Sequence, residues 1–506
     1  MRSQPTALLC VIASLLTVTA DSAIAAQRMM SRGPSSDVGS KGPIGPTGGG
    51  NGSHGGGFRG PGWGGVVPGI IMGLPQGYPS NGVVVDDGPV NNGPRRSQQS
   101  NRRGPSGAPP ANERRLVPDE VVIEISSSIS AQQIDALQRR HQLARIESQT
   151  FQLSGTTLYR WRIPDRRSVA TVVRALEGDR VVASVQPNYL FTLQQGQADN
   201  HADSQTGNAI KSEGDPAQYE LARLHLPQAH ALAKGDGVVV AVIDSGVDIT
   251  HPELAGSIAG VFDTAKKPAA AHKHGTAIAG LVAAHTKLMG AAPAAKILAV
   301  HAFDQNNAGA EATTFNILKG IDWAAVHGAR VVNMSFAGPA DPAIHRSLEA
   351  ARKKGIVLVA AAGNAGAKSP PLYPAADPNV IAVSATDTED KLFEQSNRGP
   401  YIAIAAPGAQ ILVASPDGSY EVSSGTSYSA AEVSGIVALM LQRRPDLTPD
   451  KVRNILQATA KDLGPKGHDA MFGAGLADAY GAVTAVAAPV ASANPRPVER
   501  VSTGAR

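Results

Sequence analysis

The sequence predicts an α/β protein, a parallel sheet covered by helices on both faces, preceded by a small α+β unit of ferredoxin-like order. Three observations predict it. Short β-branched or apolar runs at 238–243, 296–301, 330–334, 356–361 and 380–384 alternate with helical patterns such as 312–327. Continuous apolar strands separated by helices belong to parallel sheets buried on both sides. Upstream, residues 116–195 read strand, helix, strand, strand, helix, strand, the order of a ferredoxin-like unit. Finally, 23 of the 54 Gly and 14 of the 36 Pro of this 506-residue chain fall in residues 1–127, an enrichment that leaves an ordinary globular composition for the remainder.

Taken in order, residues 1–26 have a basic start at Arg2, an apolar core at 7–18 and the small residues Ala23-Ile24-Ala25, the pattern of an export signal. Residues 27–115 have no hydrophobic period and read as a Gly/Pro-rich disordered tract. In the α+β unit, 121–125 is a strand, 131–142 a helix, 143–153 holds a further strand, 156–163 is a half-buried strand, 169–176 a helix and 181–191 a strand. A polar linker, 196–215, leads to the large α/β unit, 216–485, and an Ala/Pro-rich tail, 486–506, closes the chain.

Charge and cysteine usage narrow the function classes. The net charge is +4, but Arg95, Arg96, Arg102, Arg103, Arg114 and Arg115 lie outside the large unit, so no basic face for nucleic acid is expected on it. Cys10 is the single cysteine and sits in the export signal, which removes disulfides, a cysteine nucleophile and thiolate metal sites from consideration. Nothing after the signal offers about twenty uninterrupted apolar residues, so no stable membrane insertion is expected, and the protein should be secreted or periplasmic.

Four residues carry candidate chemistry. Asp244 ends the run 238–243, so a strand end holds its carboxylate. His274 begins His274-Gly275-Thr276-Ala277-Ile278-Ala279-Gly280, whose small residues let a helix pack closely. Asn364 closes Ala360-Ala361-Ala362-Gly363-Asn364 and offers an amide donor after another strand. Ser427 in Gly425-Thr426-Ser427 precedes the apolar stretch 433–441, where free backbone N–H groups and the helix dipole favour developing negative charge. Each alone is commonplace. His272, Ser424 and Ser429 show how little one histidine or serine proves, and a serine before a helix is most often a cap.

Together, Ile243-Asp244-Ser245-Gly246, His274-Gly275-Thr276 and Gly425-Thr426-Ser427 resemble the three signatures of subtilisin-like serine peptidases, over residues 219–485. The resemblance implies a subtilisin-like fold and a serine endopeptidase with Ser427 as nucleophile, His274 as general base and Asp244 orienting it, in the chain order of subtilisin. Asn364 would stabilise the oxyanion. Ser335, Ala337 and Gly338, with a segment at 309–312, would form the cleft walls, and Ala362 and Gly363 would line the primary pocket, with Leu372 near its base. Residues 116–195 would be an inhibitory propeptide domain, making the chain a zymogen whose partners are peptide or protein substrates and its own propeptide.

The chain departs from the family's Met-Ala-x-Pro after the serine, with Tyr428 expected to narrow access, and Ala337 replaces a usual glycine. Calcium is not supported at the usual family site, because Glu253 stands where an aspartate is usual and 281–292 is short. No metal and no other cofactor is expected. A competing class is a catalytically inactive cell-envelope binding protein on the same scaffold. A lipase would need a Gly-x-Ser-x-Gly elbow followed by Asp and His, an order that does not fit here.

Overall fold

The computed structural model describes residues 106–194, 214–264, 270–306 and 309–487. The export signal, the Gly/Pro-rich tract up to residue 105, residues 196–213 of the linker and the tail from 488 lie outside the described residues.

The smaller unit contains β1 (Leu116–Ile125), α1 (Ala131–His141), β2 (Ala144–Phe151), β3 (Thr156–Arg162), α2 (Val169–Leu176) and β4 (Val182–Leu193). Its sheet runs β2-β3-β1-β4, with β1 antiparallel to both neighbours. Alternation sends Val121, Ile123 and Ile125 of β1 to one face, where they meet Leu137 of α1 and Val172, Val173 and Leu176 of α2. Ser130 and Gln133 form a capping box at the start of α1, a local reason for the helix to begin there. Ser106 and Gly107 bond the Glu177 carboxylate, so the end of the Gly/Pro-rich tract lies against this unit.

The larger unit opens with α3 (Tyr219–Arg223), α4 (Leu226–His230), β5 (Val239–Asp244), β6 (Ile258–Asp263), α5 (Lys273–Ala283), β7 (Lys296–His301), β8 (Asp304–Asn306), β9 (Gly309–Thr313) and α6 (Thr314–Val326). It continues with β10 (Val331–Met334), β11 (Phe336–Ala337), α7 (Pro342–Lys353), β12 (Val357–Ala361), β13 (Ile381–Thr386) and β14 (Ile402–Pro407). A hairpin of β15 (Ile411–Ser415) and β16 (Ser419–Ser423) precedes α8 (Thr426–Arg443), α9 (Pro449–Thr459) and α10 (Ala479–Ala487).

The central sheet runs β14-β13-β12-β10-β5-β7-β6, and every pair in it is parallel. Its faces are divided residue by residue. Val240, Val242, Val331, Val357 and Val359 face α5 and α8, whereas Ala241, Ile243, Val332, Leu358 and Ala360 face α6 and α7. Two strands escape the sequence pattern. β6 is half exposed and β14 is alanine-rich, so neither shows the β-branched signature of its neighbours.

One strand joins the two units. β4 pairs with β1 through its first half, and through its second half with β9 at 190–192 and β11 at 192–193. Its flank is held by Gln186, whose amide donates to Asp341 Oδ1 (2.8 Å), and by Tyr189 N, which donates to Thr314 Oγ1 (2.9 Å). Asp341 caps α7 and Thr314 opens α6, so the small unit rests on the amino ends of two helices.

Candidate active site

Asp244 terminates β5 at the carboxyl end of the central sheet, where open α/β sheets place their sites. Its carboxylate is fully buried and held by donors on every side. His274 Nδ1 lies 2.8 Å from Oδ1 and 2.9 Å from Oδ2, Ser245 N 2.7 Å from Oδ1, and Ser245 Oγ 3.0 Å from Oδ1. His274 stands in the first turn of α5, which can approach this closely because Gly275 has no side chain. A Cβ there would come within 2.6 Å of the Ser245 carbonyl oxygen. With Nδ1 bonded to Asp244, His274 Nε2 is buried without a hydrogen-bond partner.

Ser427 is the second residue of α8, in the turn whose N–H groups lack intrahelical acceptors. Its hydroxyl donates to the Gln194 carbonyl at 2.8 Å, and the Ser335 carbonyl oxygen, at 3.2 Å, is the alternative acceptor for the same proton. Asn364 Nδ2 donates to the same Gln194 oxygen at 3.0 Å. The orientation of that amide is fixed from behind, since Asn364 Oδ1 accepts from Thr426 N (3.0 Å) and Thr426 Oγ1 (2.8 Å). The oxygen is therefore committed, and the NH2 group must face Gln194. Thr426 has this positioning role; the sequence showed it only as part of a motif.

The end of β4 lies in the cleft as an added strand. Phe336 and Ala337 pair with Leu193 and Thr192, and Gln194 N donates to Ser335 O at 3.2 Å. Opposite, β9 pairs with 190–192. Main-chain pairing of this kind accepts any sequence, and pockets for alternate side chains supply selectivity. Phe191 is buried, edge-on to Phe336 at 6.0 Å, and lies against Gly338, where a Cβ would come within 2.3 Å of its ring. Gly363 has φ 109° and packs beside Leu372 and Asn397. Its N–H donates to Thr426 Oγ1 at 3.1 Å, and Ala362 precedes it, fully buried. The structure thus brings Ser335, Ala337 and Gly338 against Gln194 and the strand that carries it, while Ala362 and Gly363 stand directly before Asn364.

Residues 235–475 match the Subtilase family. Thermitase from Thermoactinomyces vulgaris is 35% identical over 274 residues, spanning 53% of this chain and 95% of thermitase. The thermophilic serine proteinase of Bacillus sp. (strain AK1) is 35% identical over 327 residues, spanning 63% of this chain and 76% of that protein. The chain belongs to the subtilase family. Subtilases are serine-type endopeptidases, so the chain sits in a family of proteolytic enzymes. The crystal structure of fervidolysin from Fervidobacterium pennivorans, described as a keratinolytic enzyme related to subtilisin, superposes with a TM-score of 0.63 at 24% identity. That likeness covers 75% of this chain and 62% of fervidolysin, and it shows the subtilisin-like fold.

The structure corrects one expectation, at Tyr428, and gives Glu253 a set of partners of its own. Tyr428 does not narrow the cleft: it is a buried residue of the first turn of α8, its ring 6.2 Å from that of His274, with its hydroxyl donating to Ser423 Oγ at 2.7 Å. Burial pushes that phenol well above its ordinary range. Glu253 accepts from the amides of Thr286, Lys287 and Leu288 and from the Tyr420 hydroxyl, all at 2.9–3.0 Å. Burial would raise its pKa, but these bonds outweigh it and hold the carboxyl below its usual range. A ring of N–H and O–H donors aimed at a carboxylate is the wrong chemistry for a cation, whose ligands are oxygen acceptors.

Proposed function

We propose that this subtilase is an exported serine endopeptidase made as an autoinhibited zymogen, with residues 106–194 as the inhibitory pro-segment and Ser427 as the nucleophile that releases it. The observation that carries the reading is the Gln194 carbonyl, which receives Ser427 Oγ at 2.8 Å and Asn364 Nδ2 at 3.0 Å at the end of a strand docked between both cleft walls. A peptide bonded in this way is posed as a substrate, with Gln194 contributing the acyl carbon.

The reaction follows from the same atoms. Ser427 Oγ turns from the carbonyl oxygen to its carbon, and its proton passes to His274 Nε2, the buried nitrogen left open. Asp244 keeps Nδ1 protonated and stabilises the imidazolium. As the carbonyl becomes tetrahedral, its oxygen gains charge where Asn364 Nδ2 and the free N–H of Ser427 can receive it. The imidazolium then gives its proton to the leaving amine, and a water reverses the sequence to free the acid.

Specificity is read from the docked strand. Phe191, four residues before the cut, fills an apolar site made by Phe336 and Gly338, so the enzyme should favour aromatic or large apolar groups there. An uncharged residue is expected directly before the cut. No calcium requirement is proposed at Glu253, and nothing among the described residues favours the inactive binding-protein reading. No helix among those residues is long and apolar enough to cross a membrane, which is compatible with an exported enzyme.

The test is a peptide panel read by mass spectrometry. The processed protein should cut after uncharged residues preceded at the fourth position by Phe or Leu, and Ser427→Ala should cut nothing. Cleavage confined to Lys or Arg sites would overturn the specificity, and equal cleavage by Ser427→Ala would overturn the mechanism.

A further inference from the structure

Asp244 is approached by a second imidazole that the reaction described above does not use. His272 stands at the amino end of α5, two residues before His274, with its backbone N–H fixed on the Gly246 carbonyl at 2.8 Å. Its Nδ1 lies 2.8 Å from Ser245 Oγ, and its Nε2 meets the side-chain amide nitrogen of Gln305 on β8. Asp244, His274, Lys273 and His301 are the charged or titratable groups around the ring; burial is the main influence and lowers its pKa, so the ring is neutral at pH 7.

The directions of these bonds can be settled by counting protons. A serine hydroxyl has one proton and two lone pairs. Ser245 Oγ has three neighbours: Gly275 N–H at 3.1 Å, His272 Nδ1 at 2.8 Å and Asp244 Oδ1 at 3.0 Å. Gly275 can only donate, and an ionised carboxylate can only accept. The hydroxyl proton therefore belongs to Asp244, and His272 must supply a proton from Nδ1. A neutral ring protonated there presents a bare Nε2, and the NH2 group of Gln305 is the donor that position requires.

We propose that His272 is a positioning residue of the peptidase site, held by Gln305 as the Nδ1–H tautomer so that it directs Ser245 Oγ–H onto Asp244. The carboxylate is then locked in the plane that presents both oxygens to His274 Nδ1. The chain of donors begins on β8, which is bonded to β9, the strand that pairs with the docked segment 190–192. The outer strand of the cleft is thereby tied to the aspartate behind the histidine. Supporting side chains of this kind fix the tautomer and orientation of the groups that react.

The proposal rests on the serine-peptidase reading, so its test has one arm independent of turnover. In uncut Ser427→Ala protein labelled with 15N-histidine, the His272 signal, assigned by its loss in His272→Asn, should show a protonated Nδ1 and a bare Nε2. Gln305→Ala should convert it to a tautomer mixture. In the processed enzyme, His272→Ala should lower kcat about fivefold to tenfold, the worth of one directed hydrogen bond, with KM within about twofold. His272→Asn, whose Nδ2 donor lies near the position of Nδ1, should recover most of the loss. His272→Leu, which fills space without a donor, should not. An Nε2–H tautomer overturns the proposal, and so does a His272→Leu enzyme as fast as His272→Asn. An inert wild-type enzyme with the Nδ1–H tautomer intact would instead strike the peptidase reading, and the catalytic purpose of the chain with it.

Discussion

The carbonyl oxygen of Gln194 lies 2.8 Å from the hydroxyl of Ser427, which puts the chain's own backbone where a substrate carbonyl would react. The relationship is intramolecular, joining positions 233 residues apart, and it makes the first prediction specific. Wild-type protein should cut itself between Gln194 and Gln195, and amino-terminal sequencing of the mature form should begin at Gln195 or at a later trimmed position. Pure Ser427→Ala should remain full length after export. The same shortened product from both would exclude self-processing.

Asn364 is expected to act only as negative charge develops. Asn364→Ala should lower kcat by about 10²- to 10³-fold with KM nearly unchanged, the size seen when subtilisin loses its own oxyanion amide. Thr426→Val removes the hydroxyl bond that orients the amide but leaves the Thr426 N–H bond, so a smaller loss of kcat, about tenfold, is expected. Steady-state kinetics on one peptide ester separate the two.

Gly338 lies against Phe191, the residue in the fourth place before the proposed cut. A methyl there would meet the Phe191 ring at 2.3 Å. Gly338→Ala should therefore lower kcat/KM about tenfold for peptides with Phe at that position, and little for peptides with Ala. An equal loss for both would place the aromatic elsewhere.

Much of this was legible in the sequence because the strands that carry the site are continuous apolar runs. The end of one such run placed Asp244, and a glycine-rich helix start placed His274. The boundaries of β7 and α2 coincide with their patterns, whereas β6 and β14 went unseen because partial exposure and alanine blur the signal. The exact position of Gln194 was not legible, because nothing in a polar residue at the end of the unit 116–195 marks it as the one that meets Ser427 until the cleft that receives it is known. Thr426, Ser245 and His272 were quoted or set aside for a similar reason: their roles lie in the direction of hydrogen bonds between segments remote in sequence.

Two buried carboxyls predict an unusual pH dependence of stability. Burial pushes Glu220 up to about 8, and burial together with Glu220 raises Glu432 well above the ordinary carboxyl range. Both Glu432 oxygens and one Glu220 oxygen have no hydrogen-bond partner. Raised folded values mean that the contribution is complete below the unfolded pKa and is lost as pH rises toward about 8, on the order of 1 kcal/mol per carboxyl for each pH unit. Thermal unfolding of uncut Ser427→Ala should weaken between pH 5 and 8, and Glu220→Gln with Glu432→Gln should flatten the slope. An unchanged slope would mean that neither group is neutral in the folded protein.

Glu253 predicts the opposite sign and a calcium-independent loop. Its lowered carboxyl pKa stabilises above the unfolded value and loses that contribution as acid protonates it. Glu253→Ala leaves three amides without an acceptor and should lower the Tm by about 4–8 °C. A chelator should leave the wild-type Tm unchanged, and a large fall on chelation would show that a cation supports this loop after all.

The most direct measurement of the whole account is covalent. A fluorophosphonate reacts with a serine hydroxyl only where a base removes its proton and donors hold the oxyanion. Processed wild-type protein should carry one adduct, on the peptide that contains Ser427, with labelling lost in Ser427→Ala and slowed by orders of magnitude in His274→Ala. Labelling at another residue, or at Ser427 with equal speed when His274 is gone, would contradict the assembly of Asp244, His274, Asn364 and Ser427 into one catalytic site.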